Sequence, residues 1–174
     1  MDNLIFTGKK YFYPSINSKK YTVYVSDNKE KINSMISYFN EYNNLADNPN
    51  DYMIGIDFEF NNINKQRQIA LFQINLETKE KNTNIYLFYP PMLNSKQIDV
   101  VRMLLTNKNV TTILHGGESL DIPYLFNNII INSKDQKEFC QNLIDTRYLC
   151  EYYHLEKNEI DRRCKIYYIM EEMK

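Results

Sequence analysis

Two acidic residues, Asp57 and Glu59, stand two apart in the run Met53-Ile54-Gly55-Ile56-Asp57-Phe58-Glu59-Phe60. The run reads as a strand, and in a strand residues two apart point to the same face. Asp57 and Glu59 therefore project together, with Ile56, Phe58 and Phe60 on the opposite side. Carboxylates a few ångströms apart repel, and burial raises the pKa of one of them. A bound divalent cation removes that cost, and oxygen ligands of this kind suit Mg²⁺ or Mn²⁺. The plainer alternative is a strand whose polar edge faces water. Against it stand the apolar lead-in and the lack of Lys or Arg within reach in sequence.

A second acidic position follows another apolar run. After residues 110–114 (VTTIL) comes His115-Gly116-Gly117-Glu118-Ser119-Leu120-Asp121-Ile122-Pro123-Tyr124-Leu125-Phe126. Paired glycines permit a tight turn and the close approach of a ligand to the backbone. Asp121 falls at the start of a helix whose buried face is Ile122, Leu125 and Phe126. An acid there is favoured by the helix dipole, so a simple cap is the alternative to a ligand role.

The surrounding elements must position these groups. Residues 21–26 (YTVYVS) alternate and are β-branched or aromatic, which predicts a strand. Asp27 with Glu30 has the capping-box arrangement, and Ile32, Met35, Ile36 and Phe39 follow at helical spacing. Residues 43–51 read as a polar loop. Three strands are expected at 52–60, 68–75 and 84–89, joined as antiparallel hairpins. A helix is expected at 95–105 with Ser95 as cap, a strand at 110–114, a helix from Asp121, and further helices at 142–153 and 160–173. The order β-α-βββ-α-β-α-α-α predicts an α/β fold, a mixed central sheet of three antiparallel strands and then parallel ones, flanked by helices.

Composition limits the alternatives. A chain of 174 residues with 43% hydrophobic and 25% charged residues is expected to form one domain, with residues 1–20 as an N-terminal extension. No run of about 18 apolar residues is present, so no membrane helix is expected. Residues 1–7 (MDNLIFT) lack the basic and apolar stretches of a secretory signal, and an intracellular protein, cytoplasmic or nuclear, is expected. A net charge of -1 excludes nucleic-acid binding by bulk charge alone, but not by a metal site. Lys65, Arg67, Arg147, Arg162, Arg163 and Lys165 are the basic residues that could touch phosphate, although a solvated helix face explains the last three better. Cys140, Cys150 and Cys164 form no paired motif and are expected to be reduced, buried thiols. His115 and His154 are too few for a zinc cluster. The bias towards Asn, Lys, Ile and Tyr with no Trp points to an AT-rich genome, such as that of a large DNA virus or a protist.

The segments IGIDFEF, QIALFQIN, ILHGGESLDIPYLF and LIDTRYLCEYY, in this order over residues 52–153, resemble the DEDD superfamily of 3′–5′ exonucleases, and the ribonuclease D branch most. The resemblance implies a ribonuclease H-like fold and Asp57, Glu59 and Asp121 as catalytic residues and metal ligands. It also implies hydrolysis of RNA or single-stranded DNA from the 3′ end by two Mg²⁺ or Mn²⁺ ions ~4 Å apart. On the same ground Asp57 would bridge the ions, and Phe60, Leu114, His115 and Tyr124 would line the nucleotide pocket. Phe58 and Phe60 also fit a role in the core. Asp145-Thr146 matches the family's later helix start and is expected to cap it.

One element of the pattern is missing. The family has a fourth carboxylate, an Asp four residues after a Tyr or His, and no such pair follows Asp145. Tyr168 with Glu172, and Tyr167 with Glu171, have the spacing, but fit an amphipathic terminal helix better. Either the last motif lies in a part of the protein beyond this chain, or it has been lost. The loss would leave an exonuclease-fold module that binds nucleic acid or a protein partner without cleaving, and a homodimer is compatible with that alternative. A nucleotidyl-transfer or integrase-like role is less consistent with the flanks of Asp121.

Overall fold

The computed structural model describes residues 21–45, 52–77 and 83–148. Its central feature is a long hairpin. Strand β2 (Tyr52–Ile63) turns back into β3 (Gln66–Glu77) through Asn64 and Lys65, with φ of 51° and 65°. Two successive residues of positive φ make a turn whose twist matches that of the strands. Both strands run further than 52–60 and 68–75, because the polar residues near the tip carry no apolar alternation to mark them. The register shifts between Glu59 and Phe60: Glu59 pairs with Leu71 but Phe60 with Ile69, so Ala70 is an extra residue on β3.

Around this hairpin stand β1 (Tyr21–Ser26), β4 (Thr83–Phe88), β5 (Val110–Leu114) and β6 (Leu143–Asp145). The sheet order is β1-β4-β3-β2-β5-β6. The consecutive strands β2, β3 and β4 are antiparallel, whereas β1 pairs with β4, β5 with β2, and β6 with β5 in parallel. This is the mixed sheet expected from the order of elements. Helices α1 (Lys29–Leu45), α2 (Ser95–Leu105), α3 (Asp121–Asn128) and α4 (Ser133–Gln141) supply the other layers.

Alternation builds the core. Ile54, Ile56 and Phe58 of β2, Phe72, Ile74 and Leu76 of β3, and Tyr86 and Phe88 of β4 are buried with Ile32, Met35 and Phe39 of α1 and Val101, Leu104 and Leu105 of α2. Phe58 stacks on Phe72 with ring centroids 4.0 Å apart. Each such side chain contributes about 1.5–3 kcal/mol by leaving water. The same alternation turns Asp57 and Glu59 away from the core.

Several local expectations are corrected. The cap of α1 is Asn28, whose Oδ1 accepts from Lys31 N at 3.0 Å, while Asp27 pairs with the Lys31 ammonium at 2.7 Å. Asn94 caps α2 in place of Ser95, in a full capping box with Gln97. Helix α1 continues into the expected loop as far as Leu45. The expected helix at 142–153 begins as the strand β6, and α4 precedes it. The expected burial of Cys140 is also wrong: it is an exposed free thiol. Cys150, His154, Arg162, Arg163, Cys164, Lys165, Tyr167, Tyr168, Glu171 and Glu172, with the expected helix at 160–173, lie outside the described residues. Among the described residues no helix is long and apolar enough to cross a membrane.

Candidate active site

Strand β5 pairs with β2 only along Tyr52–Gly55. Beyond Gly55, where Asp57 and Glu59 stand, β2 has outrun its neighbour. The chain leaves β5 at Leu114, makes the His115-Gly116-Gly117 turn and enters α3 at Asp121. Helix α3 docks through Tyr124, whose ring centroid lies 5.4 Å from that of Phe58 and 6.0 Å from that of Phe60. Packing therefore brings Asp121 into electrostatic range of the β2 pair, 62 residues away from Glu59 in sequence.

The charges reveal the convergence. Burial, and then the charges of Asp57, Asp145 and Glu59 in that order, push the Asp121 carboxyl up to about 6. The Asp57 carboxyl is raised mainly because neighbouring atoms crowd out its water, and next because Glu59 lies beside it. Asp57 still presents an open side to solvent, so its desolvation is partial. No cation contributes to either shift. The side-chain amide of Gln73, directly across the hairpin from Asp57, donates to Asp57 Oδ2 at 2.8 Å. Gln73 was not singled out from the sequence. Its partnership follows from strand register, which a spacing pattern does not give.

The donors are all carboxylate oxygens and their charges repel one another, which is the chemistry that hard divalent cations relieve. As placed, no group of three Asp, Glu, His or Cys side chains among the described residues is gathered closely enough to hold an ion. The residues thus fit Mg²⁺ or Mn²⁺ in donor type and charge, without a finished coordination geometry.

The turn before Asp121 is held from β6. Asp145 is 8% exposed, and its carboxylate accepts three backbone N–H groups: Gly116 at 2.8 Å and Arg147 at 2.9 Å on Oδ1, and Gly117 at 3.2 Å on Oδ2. The bond from Arg147 is the local cap expected of Asp145. The two from the glycines are long-range and make Asp145 the anchor of the turn. The turn passes the constraint on, because Ile122 N donates to Gly117 O at 2.9 Å. The residue before α3, Leu120, provides no side-chain cap. Gly116 has φ 69°, in the left-handed region that suits glycine. A β-carbon on Gly117 would press Leu114 and come within 3.3 Å of Asp121 Cβ.

The other expected site residues fall into two groups. His115 and Tyr124 are half-buried beside this turn and helix. His115 Nδ1 lies 2.8 Å from Thr146 Oγ1, which donates its own proton to Leu114 O at 3.2 Å. The imidazole therefore donates through Nδ1, and a neutral ring has its acceptor at Nε2. Phe60 is partly buried against Phe58 and Tyr124, and Leu114 is a core residue at 3% exposure.

Comparison with known proteins completes the description. A family model described as a 3′–5′ exonuclease matches residues 24–163. An uncharacterized protein of Acanthamoeba polyphaga mimivirus is 30% identical over 173 residues, which are 95% of this chain and 32% of that protein. The chain thus spans about a third of the length of this relative. Among solved structures, RNase D of Trypanosoma brucei in complex with GMP superposes with a TM-score of 0.51 at 15% sequence identity, covering 73% of this chain and 34% of that one.

Proposed function

Because the chain belongs to the 3′–5′ exonuclease family and has its ribonuclease H-like fold, we propose that it removes nucleotides from the 3′ end of RNA or single-stranded DNA, with Asp57, Glu59 and Asp121 as its catalytic carboxylates. The observation that carries this reading is the convergence of three carboxylates, Asp57 and Glu59 on one side of β2 and Asp121 at the start of α3, close enough that the charges of the first two raise the Asp121 carboxyl.

In this reading Asp57 and Glu59 hold divalent metal from one strand face, and Asp121 holds it from the start of α3. When bound, Mg²⁺ or Mn²⁺ would supply a water of lowered pKa and offset charge on the phosphate. The chain's own groups do the rest. Gln73 fixes one oxygen of Asp57 and so orients the other. Asp145 fixes the turn that delivers Asp121. Tyr124, on the helix that Asp121 opens, offers aromatic surface suited to stacking on a terminal base. His115, oriented by Thr146, presents its ring beside the same turn.

The test is a 5′-labelled single-stranded oligonucleotide incubated with Mn²⁺. A ladder shortening from the 3′ end is expected, lost by a factor of at least ~100 in Asp57→Ala. An intact oligonucleotide at high protein concentration would sink this reading.

A second reading is favoured by one observation. Besides Asp57 and Glu59, the acid in range of Asp121 is Asp145, and both of its oxygens are occupied by backbone N–H groups. The described residues therefore supply Asp57, Glu59 and Asp121 at this site, where the family uses four carboxylates. On this reading the chain binds nucleic acid without turnover, and oligonucleotide binding with at most one metal per chain would distinguish it.

A further inference from the structure

We propose that Arg147 grips a phosphate of the substrate strand, next to the one that is cut. This rests on the reading of the chain as a nucleic-acid-binding exonuclease module. It adds a residue outside the carboxylate group.

Three observations place the guanidinium. First, it lies against Gly116: a β-carbon there would collide with Arg147 Nη2, Cζ and Nε. The glycine thus makes room for the arginine as well as adopting φ 69°. Second, the backbone on both sides is fixed by one carboxylate, since Asp145 Oδ1 accepts from the N–H of Gly116 and from that of Arg147. The side chain therefore starts from a held backbone and rests on a held turn. Third, the next residue of that turn, Gly117, abuts Asp121 Cβ. One dipeptide thus separates the arginine from a candidate metal ligand.

Among the described residues the guanidinium has no partner that explains this placement. Among the described residues no acid lies within ion-pairing distance of it, and its N–H groups make no hydrogen bond. Asp145, the nearest acid in sequence, is occupied by backbone N–H groups. Nor does Arg147 act as counter-ion to the carboxylates, because the charges that shift Asp57 and Asp121 are all acidic. Half-buried and, among the described residues, without a carboxylate partner, the arginine keeps a fork of donors available to an external acceptor. A phosphodiester matches that fork with two oxygens in one plane. It would also offset the repulsion a polyanionic strand meets at three carboxylates.

The experiment measures binding apart from cleavage. Fluorescent single-stranded RNA and DNA oligonucleotides are titrated with the full chain in EDTA, over a series of KCl concentrations. Arg147→Gln is expected to weaken binding about tenfold, equally for all sequences, and to flatten the slope of log K against log salt by about 0.7, one phosphate contact. Arg147→Lys is expected to keep most of the salt slope and lose part of the affinity, since it retains charge without the fork. In Mn²⁺, KM is expected to rise while kcat holds. Equal affinity and slope in a folded Arg147→Gln overturns the proposal, as does a loss confined to kcat. If the wild-type chain binds oligonucleotide and never cuts it, the exonuclease reading fails while the binding arms still decide the role of Arg147. If it binds none, both fall.

Discussion

Asp121 combines partial burial with three acidic neighbours, and the sign of its titration can be worked out. Its carboxyl is raised to about 6 in the folded chain, above the unfolded value of 3.8. The folded state thus holds a proton that the unfolded state releases, and stability falls as pH rises between those values. Below pH 4 the cost is absent, and above pH 6 it is fully present. Asp121→Asn is therefore expected to stabilise the metal-free protein at pH 7 by about 1–2 kcal/mol, after allowing for solvent screening of a half-exposed group. Thermal melts at pH 4.5 and 7 check this; an equal gain at both values would refute it. The acids themselves were legible because two-residue alternation and a helix start follow directly from residue type. Gln73 and Asp145 were not, because what they hold is set by chains brought together from 16 and 28 residues away.

At the level of elements, the errors have a common origin in short or ambiguous signals. Asp27 and Asn28 both suit a helix cap, as do Asn94 and Ser95, and in each pair the choice depends on which residue takes the extended backbone. Strand β6 has three residues, too few for alternation to show, and its sequence continues into Tyr148 and Leu149 with helical spacing. Helix α4 is polar apart from the buried Phe139, so it left no apolar stripe. Yet β6 is the element on which the site's turn depends. Asp145→Ala would leave the N–H groups of Gly116 and Gly117 without their acceptor, at a cost of about 2–4 kcal/mol. Urea unfolding is expected to show that loss, with Asp145→Asn intermediate. A cost under 0.5 kcal/mol would mean that the turn holds its own shape.

Across the whole molecule, the fold class was the most legible property. Three consecutive strands and later β-α alternation allow few arrangements, and the order β1-β4-β3-β2-β5-β6 is one of them. The net charge of -1 leaves the carboxylate group as a local concentration of negative charge rather than part of an acidic surface. A divalent cation that binds there stabilises the folded chain by mass action. The melting temperature is therefore expected to climb with the logarithm of Mn²⁺ concentration above the dissociation constant, by about 5–10 °C per ~100-fold. Asp57→Ala should remain flat in the same titration. An identical climb in both proteins would place the ion elsewhere.

The bonds from Asp145 to the turn also impose an order in time. Asp57 and Glu59 acquire their strand as soon as the β2–β3 hairpin closes, a local event of microseconds. The Gly116-Gly117 turn lacks its acceptor until residue 145 has arrived, 28 and 29 residues later. During synthesis at about 5–20 residues per second, the carboxylates emerge seconds before their anchor does. A ribosome-bound chain arrested at residue 140 is thus expected to carry its hairpin without a fixed Asp121.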